Sequence, residues 1–287
     1  FHVYLIEKEK DLGGMARRIR KTLEGLDVQE YINDLIGKVY RNPLVHVYTG
    51  AVIKDVTGYV GNFETKIASG ETEKVIKHGV AIIATGAEEY KPVEYLYGTD
   101  ERVLTGLELE EKIAAGDEKV AAAESVVMIQ CVGCREKDRN YCSRICCSES
   151  VKNALKLKEA RPDMDVYILF RDMRTYGFRE DYYREAADKG VRFIRYEAED
   201  KPQVKPGKSD EGRSVLKVTA IDYVLGRKIE LDSDLVALAA AVIPAASNNE
   251  MARFFKVALN PDGFFQEAHV KLRPVDFAAD GVFLCGT

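Results

Sequence analysis

The sequence predicts an α/β fold of two Rossmann-like, three-layer domains, the second inserted in the first. Three observations carry this reading. Strand-like and helix-like segments alternate across residues 125–196, which implies right-handed crossovers and a parallel sheet. Three apolar strand-like segments end in residues suited to a dinucleotide: Glu7 after VYLI, Gly86 in AIIATGA and Gly286 in GVFLCGT. The third lies beyond the alternating region, so the first domain must resume there. The expected boundaries are 1–118 for the first part of the outer domain, 119–245 for the inserted domain and 246–287 for the return.

Taken in order, His2 to Ile6 is a strand and DLGGMARRIRKTLEGL, after a Gly pair, a helix. Val28 to Tyr40 is a second helix, with Tyr31, Ile32, Leu35, Ile36 and Val39 on one stripe. Val45 to Tyr48, Ala51 to Val56 and Tyr59 to Ile67 read as strands turning near Gly58, and Val75 to Thr85 as one apolar strand. Tyr90 to Leu107 is a connection and Glu108 to Ala115 a short helix. Ser125 to Gln130 is a buried-type strand, Tyr141 to Ala160 a helix, Val166 to Phe170 a strand, Glu180 to Lys189 a helix and Val191 to Tyr196 a strand. Lys201 to Arg213 is a polar turn region. Ser214 to Tyr223 and Arg227 to Leu231 form a hairpin, Leu235 to Val242 a central strand, Asn248 to Phe255 a helix and Gly281 to Cys285 the last strand.

The composition bounds the function. The 287 residues suffice for about two domains. A net charge of −5 argues against nucleic acid as a partner, because phosphate binding needs a concentrated basic face. No apolar run reaches the roughly 18 residues of a membrane span, and the opening FHVYLIEKEK is no signal peptide. Six cysteines, five of them between Cys131 and Cys147, point to a metal or redox site in a reducing, cytoplasmic setting. The chain begins at Phe1 inside a strand and ends abruptly at GVFLCGT, so it reads as cut from a larger protein.

In a Rossmann unit the second strand ends in an acid that accepts hydrogen bonds from ribose hydroxyls, and Glu7 stands at such a place. The glycine fingerprint about twenty residues earlier would fall before residue 1, so this chain is expected to hold FAD weakly or not at all. Gly13-Gly14 permits close backbone approach. Taken singly, Glu7 is equally a surface charge and each strand tip an ordinary turn; their order is what weighs. Glu7, Gly13-Gly14, ATG at 84–86, an inserted α/β domain and a terminal GVFLCG together resemble the flavoproteins of the thioredoxin-reductase type. The resemblance implies an FAD/NAD(P)-binding flavoprotein fold, with FAD touching Glu7, Gly13, Gly14, Met15, Ala84, Thr85, Gly86 and Gly286.

After SVVMIQ that family's pattern requires a glycine-rich phosphate loop. Here the chain reads CVGCREKDRNYCSRICC, with Gly133 alone remaining, which argues against a nicotinamide nucleotide. Cys142 and Cys146, four apart, would share a helical face. Four thiolates from a strand end and a helix start suit an iron–sulfur cluster, a zinc ion or a thiol/disulfide site. The adjacent Cys146-Cys147 pair fits zinc knuckles poorly, and no His is nearby.

CVGCR…YCSRICC followed by SVKNALKLK resembles the A subunits of heterodisulfide reductase and their relatives, and VYLIEKEKDLGG, GYVGNFET and ATGAEEYKPVEYLYG point the same way. The resemblance implies an oxidoreductase subunit carrying a 4Fe–4S cluster beside FAD, with Cys131, Cys142, Cys146 and Cys147 as ligands and Cys134, where a Ser is expected, as an extra thiol able to replace Cys131. It implies partner iron–sulfur subunits and a part in flavin-based electron bifurcation, and leaves a homodimer open. A zinc-stabilised interaction scaffold and an NAD(P)H-dependent disulfide reductase are the competing functions. Cys285 reads as a buried core thiol, His2 and His46 as structural residues, Tyr90, Tyr95 and Tyr97 as packing, and Arg171, Arg174, Arg179 and Lys189 as a solvated or partner-facing group.

Overall fold

Strand β1 (Val3–Ile6) runs in parallel beside β2 (Val45–Tyr48), joined through helix α1 (Val28–Arg41), in a computed structural model that describes residues 1–286. The expected helix over 11–26 is replaced by a single 3-10 turn, Gly14–Arg17. Gly13 and Gly14 both take positive φ (116° and 47°), which breaks any helix there. Strands β3 (Ala51–Tyr59), β4 (Asn62–Ser69) and β5 (Thr72–His78) form an antiparallel meander. The apolar run expected as one strand to Thr85 divides after His78. A separate strand, β6 (Ala81–Ile83), follows and pairs in parallel elsewhere. Strand β7 (Ala87–Glu89) then leads to the second unit.

That unit opens earlier than expected. By its contacts it comprises residues 18–27 and 89–242, while 1–17, 28–88 and 243–287 form the first. The boundary moves from 118 to 89 because Val103–Thr105, expected within a connection, is strand β8, and it pairs with the second unit's sheet. Thr105 also caps helix α2 (Gly106–Ala115): its Oγ1 accepts from the Glu108 N–H at 3.2 Å and Glu108 accepts in return from Thr105 N–H at 2.9 Å, a reciprocal capping box. Helix α3 (Glu118–Ala122) follows, then strand β9 (Ser125–Val132), helix α4 (Cys146–Ala160), β10 (Asp165–Phe170), α5 (Arg179–Asp188) and β11 (Arg192–Arg195). A three-stranded meander of β12 (Gln203–Lys208), β13 (Ser214–Asp222) and β14 (Arg227–Ser233) takes up the stretch expected to be a turn region. Ladder pairing to β13 overrides the turn propensities of Pro206 and Gly207. Strand β15 (Leu235–Ala240) completes the sheet, in the all-parallel order β11-β10-β9-β15-β8. The order reverses between β9 and β15, and in such folds the crevice at the carboxyl ends of those strands is where ligands sit.

Alternation along β9 builds both faces. Val126 and Met128 pack with Leu109, Val151 and Leu157 under α2 and α4; Val127 and Ile129 pack with Leu216, Val218 and Leu238 on the other side. Tyr90, Tyr95 and Tyr97 join this second cluster, as expected of packing residues. Residues 18–27 are tied in by one buried ion pair. Lys152 Nζ donates to Glu110 Oε2 at 2.7 Å and to the Lys21 carbonyl, while Glu110 Oε1 accepts from the Arg20 and Lys21 N–H groups.

Strand β16 (Val242–Pro244) returns the chain to the first unit, where α6 (Asn248–Phe255) and β17 (Val282–Leu284) complete it. Phe63, Ile83, Phe255, Phe265, Phe277 and Val282 make its core. Among the described residues no helix is long and apolar enough to cross a membrane.

Only 7% of the Glu110 side chain and 10% of that of Lys152 reach solvent, so neither charge is tolerated there alone. Glu110→Ala is expected to lower the unfolding free energy by about 3–5 kcal/mol, read from the denaturant midpoint, whereas Glu111→Ala, at a more exposed ion pair, is expected to lower it by less than about 1 kcal/mol.

Candidate metal centre and cofactor edge

The thiol loop leaves β9 on a strained backbone. Cys131 (φ 62°), Gly133 (78°), Arg135 (57°) and Arg144 (65°) are all left-handed. The helix expected from Tyr141 begins only at Cys146, because residues 141–144 are held otherwise. Tyr141 donates its hydroxyl to the Val242 carbonyl at 2.8 Å, Ser143 Oγ accepts from Val242 N–H at 2.9 Å, and Arg144 turns left-handed. Cys142 and Cys146 therefore do not share a helical face.

Gly133 is required for packing. A Cβ at this position would overlap the Tyr90 ring. Arg139 stacks over that ring, 4.4 Å from its centroid, and donates from Nε to the Gly133 carbonyl at 2.7 Å. The backbone that would approach a pyrophosphate is covered by Tyr90.

Cys131, Cys134, Cys146 and Cys147 are buried, and Cys142 is half-buried. The four buried thiols interact in series, Cys131 with Cys134, Cys134 with Cys146 and Cys146 with Cys147. The bond to Cys134 and then burial raise the Cys131 thiol; bonds from Cys131 and Cys146 hold Cys134 well below the usual thiol range. Cys146 is raised by its two thiol neighbours, and Cys147 is lowered to about 7 by Cys146, with Arg174 and Arg135 nearby. Cys142 stands apart from the row: its Sγ accepts from the Arg144 N–H at 3.3 Å, and Arg174 lies within electrostatic reach. The structure thus groups Cys131, Cys146 and Cys147 of the expected set, adds Cys134 and leaves Cys142 at the margin. Among the described residues no three His, Cys, Asp or Glu side chains are arranged to hold a single metal ion.

The surroundings favour negative charge. Helix α4 starts at Cys146 with no side-chain cap, so its first N–H groups are available at the positive end of the helix. Arg135 donates to Cys131 Sγ at 3.9 Å and pairs with Asp172 at 2.6 Å. Gln130, fully buried on the α4 side of β9, has neither amide atom bonded, and Ser148 Oγ in the first turn of α4 is likewise unsatisfied. Sequence reasoning missed both; a Gln in an otherwise apolar strand was the available signal.

In the first unit the expected cofactor residues share one edge. β6 and β17 end together, Ile83 beside Leu284, which sets Ala84, Thr85 and Gly86 next to Gly286. Gly86 (φ 66°) and Gly286 (φ 98°) have open space where a Cβ would be, so a ligand could approach the backbone. Thr85 Oγ1 donates to the buried Asn248 at 3.0 Å, a positioning contact the sequence did not suggest. Glu7 follows β1 and accepts the Glu9 N–H at 2.9 Å. The next residue, Lys8, lies 3.8 Å from Glu88, bringing the β1 end to the same edge. Gly13, Gly14 and the half-exposed Met15 form the turn after it. Cys285 is exposed, contrary to expectation, because it lies just past the end of β17.

No family model matches the chain. Among curated proteins it is similar to the iron-sulfur A subunit of the CoB–CoM heterodisulfide reductase of Methanocaldococcus jannaschii (29% identity, all of this chain, 57% of that one). It is also similar to the first iron-sulfur A subunit of the corresponding reductase of Methanopyrus kandleri (30%, all of this chain, 57% of that one). A third relative is the protein of Archaeoglobus profundus described as like the heterodisulfide reductase A subunits (36%, over 62% of this chain and 25% of that one). The chain spans about half the length of its full-length matches. The first alignment runs to 379 positions, so that relative carries stretches with no counterpart here. Among solved structures it resembles thioredoxin reductases of T. acidophilum (TM-score 0.61, 14% identity, all of this chain and 82% of that one) and Lactococcus lactis (0.60, 17%, 99% and 81%). The fold is that of the two-dinucleotide-domain flavoproteins, as expected.

Gly133→Ala would force the Tyr90 ring away and strain φ, and is expected to lower stability by about 2–4 kcal/mol, read by thermal unfolding. Glu149, in the first turn of α4, has its carboxyl raised to about 7 by burial, with Glu110 and Glu89 adding to the effect. The native state therefore holds this proton more tightly than the unfolded chain, and the stabilisation is lost as pH rises from about 4.5 through 7. The melting temperature is expected to fall by about 3–6 °C between pH 5 and pH 8 from this group, and Glu149→Gln should flatten that slope.

Proposed function

We propose a function from one premise: this chain is a homologue of heterodisulfide reductase A subunits. It is an electron-transfer flavoprotein, an oxidoreductase that works within a complex. It passes electrons between FAD and an iron–sulfur cluster, and on to iron–sulfur partner subunits. The observation that carries the reading is the group of buried thiols at the carboxyl end of β9, at the switch point of a nucleotide-binding type of sheet whose glycine loop has been replaced.

The residues fit a 4Fe–4S cluster. Thiolates, an uncapped helix start and arginines suit its net negative charge. When bound, the cluster supplies one-electron steps and FAD supplies a two-electron store. The chain's own part is to hold both. Cys131, Cys142, Cys146 and Cys147 are the ligands of this reading, Cys142 supported by its N–H···S bond and Arg174, with Cys134 as the fifth thiol. Tyr141 and Ser143 fix the loop to Val242 so that these sulfurs stay in place. Arg135 and Arg174 offset the thiolate charge.

FAD lies along the edge formed by Glu7, Gly13, Gly14, Met15, Ala84, Thr85, Gly86 and Gly286. Glu7 would accept from ribose hydroxyls, and Gly86 and Gly286 would let the backbone come close. Electron bifurcation, cytoplasmic location and division of the chain into a flavin part and an inserted part belong to the same reading. The adjacent Cys146-Cys147 pair disfavours the zinc scaffold, and Tyr90 over Gly133 disfavours NAD(P)H reduction.

Anaerobically prepared protein should contain about four iron and four sulfide per chain, with an EPR signal on reduction. Cys146→Ser and Cys142→Ser should lose most of the iron while Cys134→Ser keeps it. Iron loss in Cys134→Ser with retention in Cys142→Ser would pass the fourth ligand role to Cys134. Colourless protein holding one zinc would overturn the reading. Gly86→Val should weaken binding of added FAD at least tenfold, followed by flavin fluorescence titration, without changing the iron content.

A further inference from the structure

Strand β9 breaks its alternation at the point where the thiol loop begins. Val127 and Ile129 pack in one core cluster, Val126 and Met128 in the cluster under α2 and α4. Strict alternation would send Val132 to the α4 side, yet it joins Val127 and Ile129. The residue before it, Cys131, takes φ 62° inside the strand. Opposite, the pairing with β15 shifts register between Leu238 and Ala240, where Ala240 faces Val132. These are the marks of a β-bulge, here in a parallel ladder, with its left-handed residue at Cys131. A cysteine carries a Cβ and is strained in that conformation, so a contact from outside the strand must hold it there.

The Gln130 carbonyl belongs to the peptide that enters Cys131, and it accepts the Tyr196 hydroxyl at 2.7 Å. Both residues are buried, so water does not compete for this bond. Tyr196 lies one residue past β11, and its own N–H donates to the Phe170 carbonyl at the end of β10. In the order β11-β10-β9 its side chain therefore spans β10 to reach β9. Burial pushes the phenol up, so it stays protonated and keeps donating, and Cys131 lies within its electrostatic reach. Without this bond the carbonyl is orphaned in a dry core, and Cys131 is free to return to extended backbone. Val132 would then turn to the α4 side, and the loop that carries Cys134 would turn with it.

We infer that Tyr196 is a positioning residue of the thiol site: its hydroxyl holds the bulge at Cys131, and the bulge keeps Cys134 against Cys146 of α4. For what the site holds, the inference rests on the electron-transfer reading above. The arrangement of the sulfurs is a property of the chain itself and is tested without a cluster.

Tyr196→Phe removes the hydroxyl and keeps the ring. Ser233→Ala is the comparison. The buried Ser233 hydroxyl also serves β9, accepting the Val127 N–H at 3.1 Å and donating to the Leu235 carbonyl at 2.6 Å, but away from the thiol end of the strand. Both variants are made in the full chain and prepared anaerobically. In metal-free protein the two-armed alkylating agent dibromobimane bridges neighbouring thiols, and peptide mass spectrometry scores the Cys134–Cys146 bridge. Tyr196→Phe should form this bridge about tenfold more slowly than wild type, as expected for loss of a buried hydrogen bond, and Ser233→Ala within about twofold, although both variants melt at lower temperature. In iron-loaded protein Tyr196→Phe should release iron to bathophenanthroline about tenfold faster, again with no such change in Ser233→Ala. Wild-type bridging or wild-type iron release in Tyr196→Phe would overturn the inference, and so would equal losses in the two variants. A Tyr196→Phe chain that fails to fold would make the tyrosine a general core residue and overturn it too. Bridging that behaves as expected in a chain that takes up no iron supports the positioning role and counts against the electron-transfer reading alone.

Discussion

The ring of Tyr90 lies on Gly133, and the geometry of the thiol loop depends on that contact. A side chain at 133 has no room, so the loop must turn left-handed there. Arg139 closes over the ring and returns to the Gly133 carbonyl, which folds residues 135–141 back on themselves. Tyr141 and Ser143 then anchor the far end to Val242, and helix α4 can start only at Cys146. Three thiols from the loop and the helix start are brought against Cys131 by this sequence of constraints. A glycine that in a nucleotide-binding loop would face a phosphate serves here to seat an aromatic ring.

The electrostatics follow from the same geometry. An uncapped helix start, a strand end and two arginine-bearing loops converge on buried sulfur, so the region prefers anionic occupants whatever their identity. Burial works against each thiolate separately, and only mutual hydrogen bonds and the arginines offset it. The outcome is uneven, with Cys131 and Cys146 raised while Cys134 and Cys147 are lowered. The fully buried, unbonded amide of Gln130 is a further polar group inside an otherwise apolar sheet.

Much of the architecture was legible in the sequence. The alternation over 125–196 gave β9, α4, β10, α5 and β11, and the three strand tips gave the cofactor edge, because both rest on periodicity and on short local turns. What could not be read was set by long-range contact. Val103–Thr105 is too short to announce itself and becomes a strand only by pairing with β15. Gln203–Lys208 carries Pro and Gly, yet is held by its partner β13. The helical spacing of Cys142 and Cys146 misled because Tyr141 and Ser143 are tied to Val242, nearly a hundred residues away. In the site, spacing identified the thiols but not their grouping, since the burial of Cys134 depends on the turn at Gly133.

The ion pair of Lys152 and Glu110 has a consequence for modularity. It draws residues 18–27 into the second unit, with Leu23 packed on its core, so the chain passes between the two units four times. The second unit is therefore not a cassette. Lifting out 89–242 would strip Glu110 of two N–H donors and Lys152 of a carbonyl, leaving a buried pair half-solvated and a gap beside α4. Recombination between relatives would have to carry the early ten-residue segment along with the later block, so two distant stretches of the gene are bound to be inherited together.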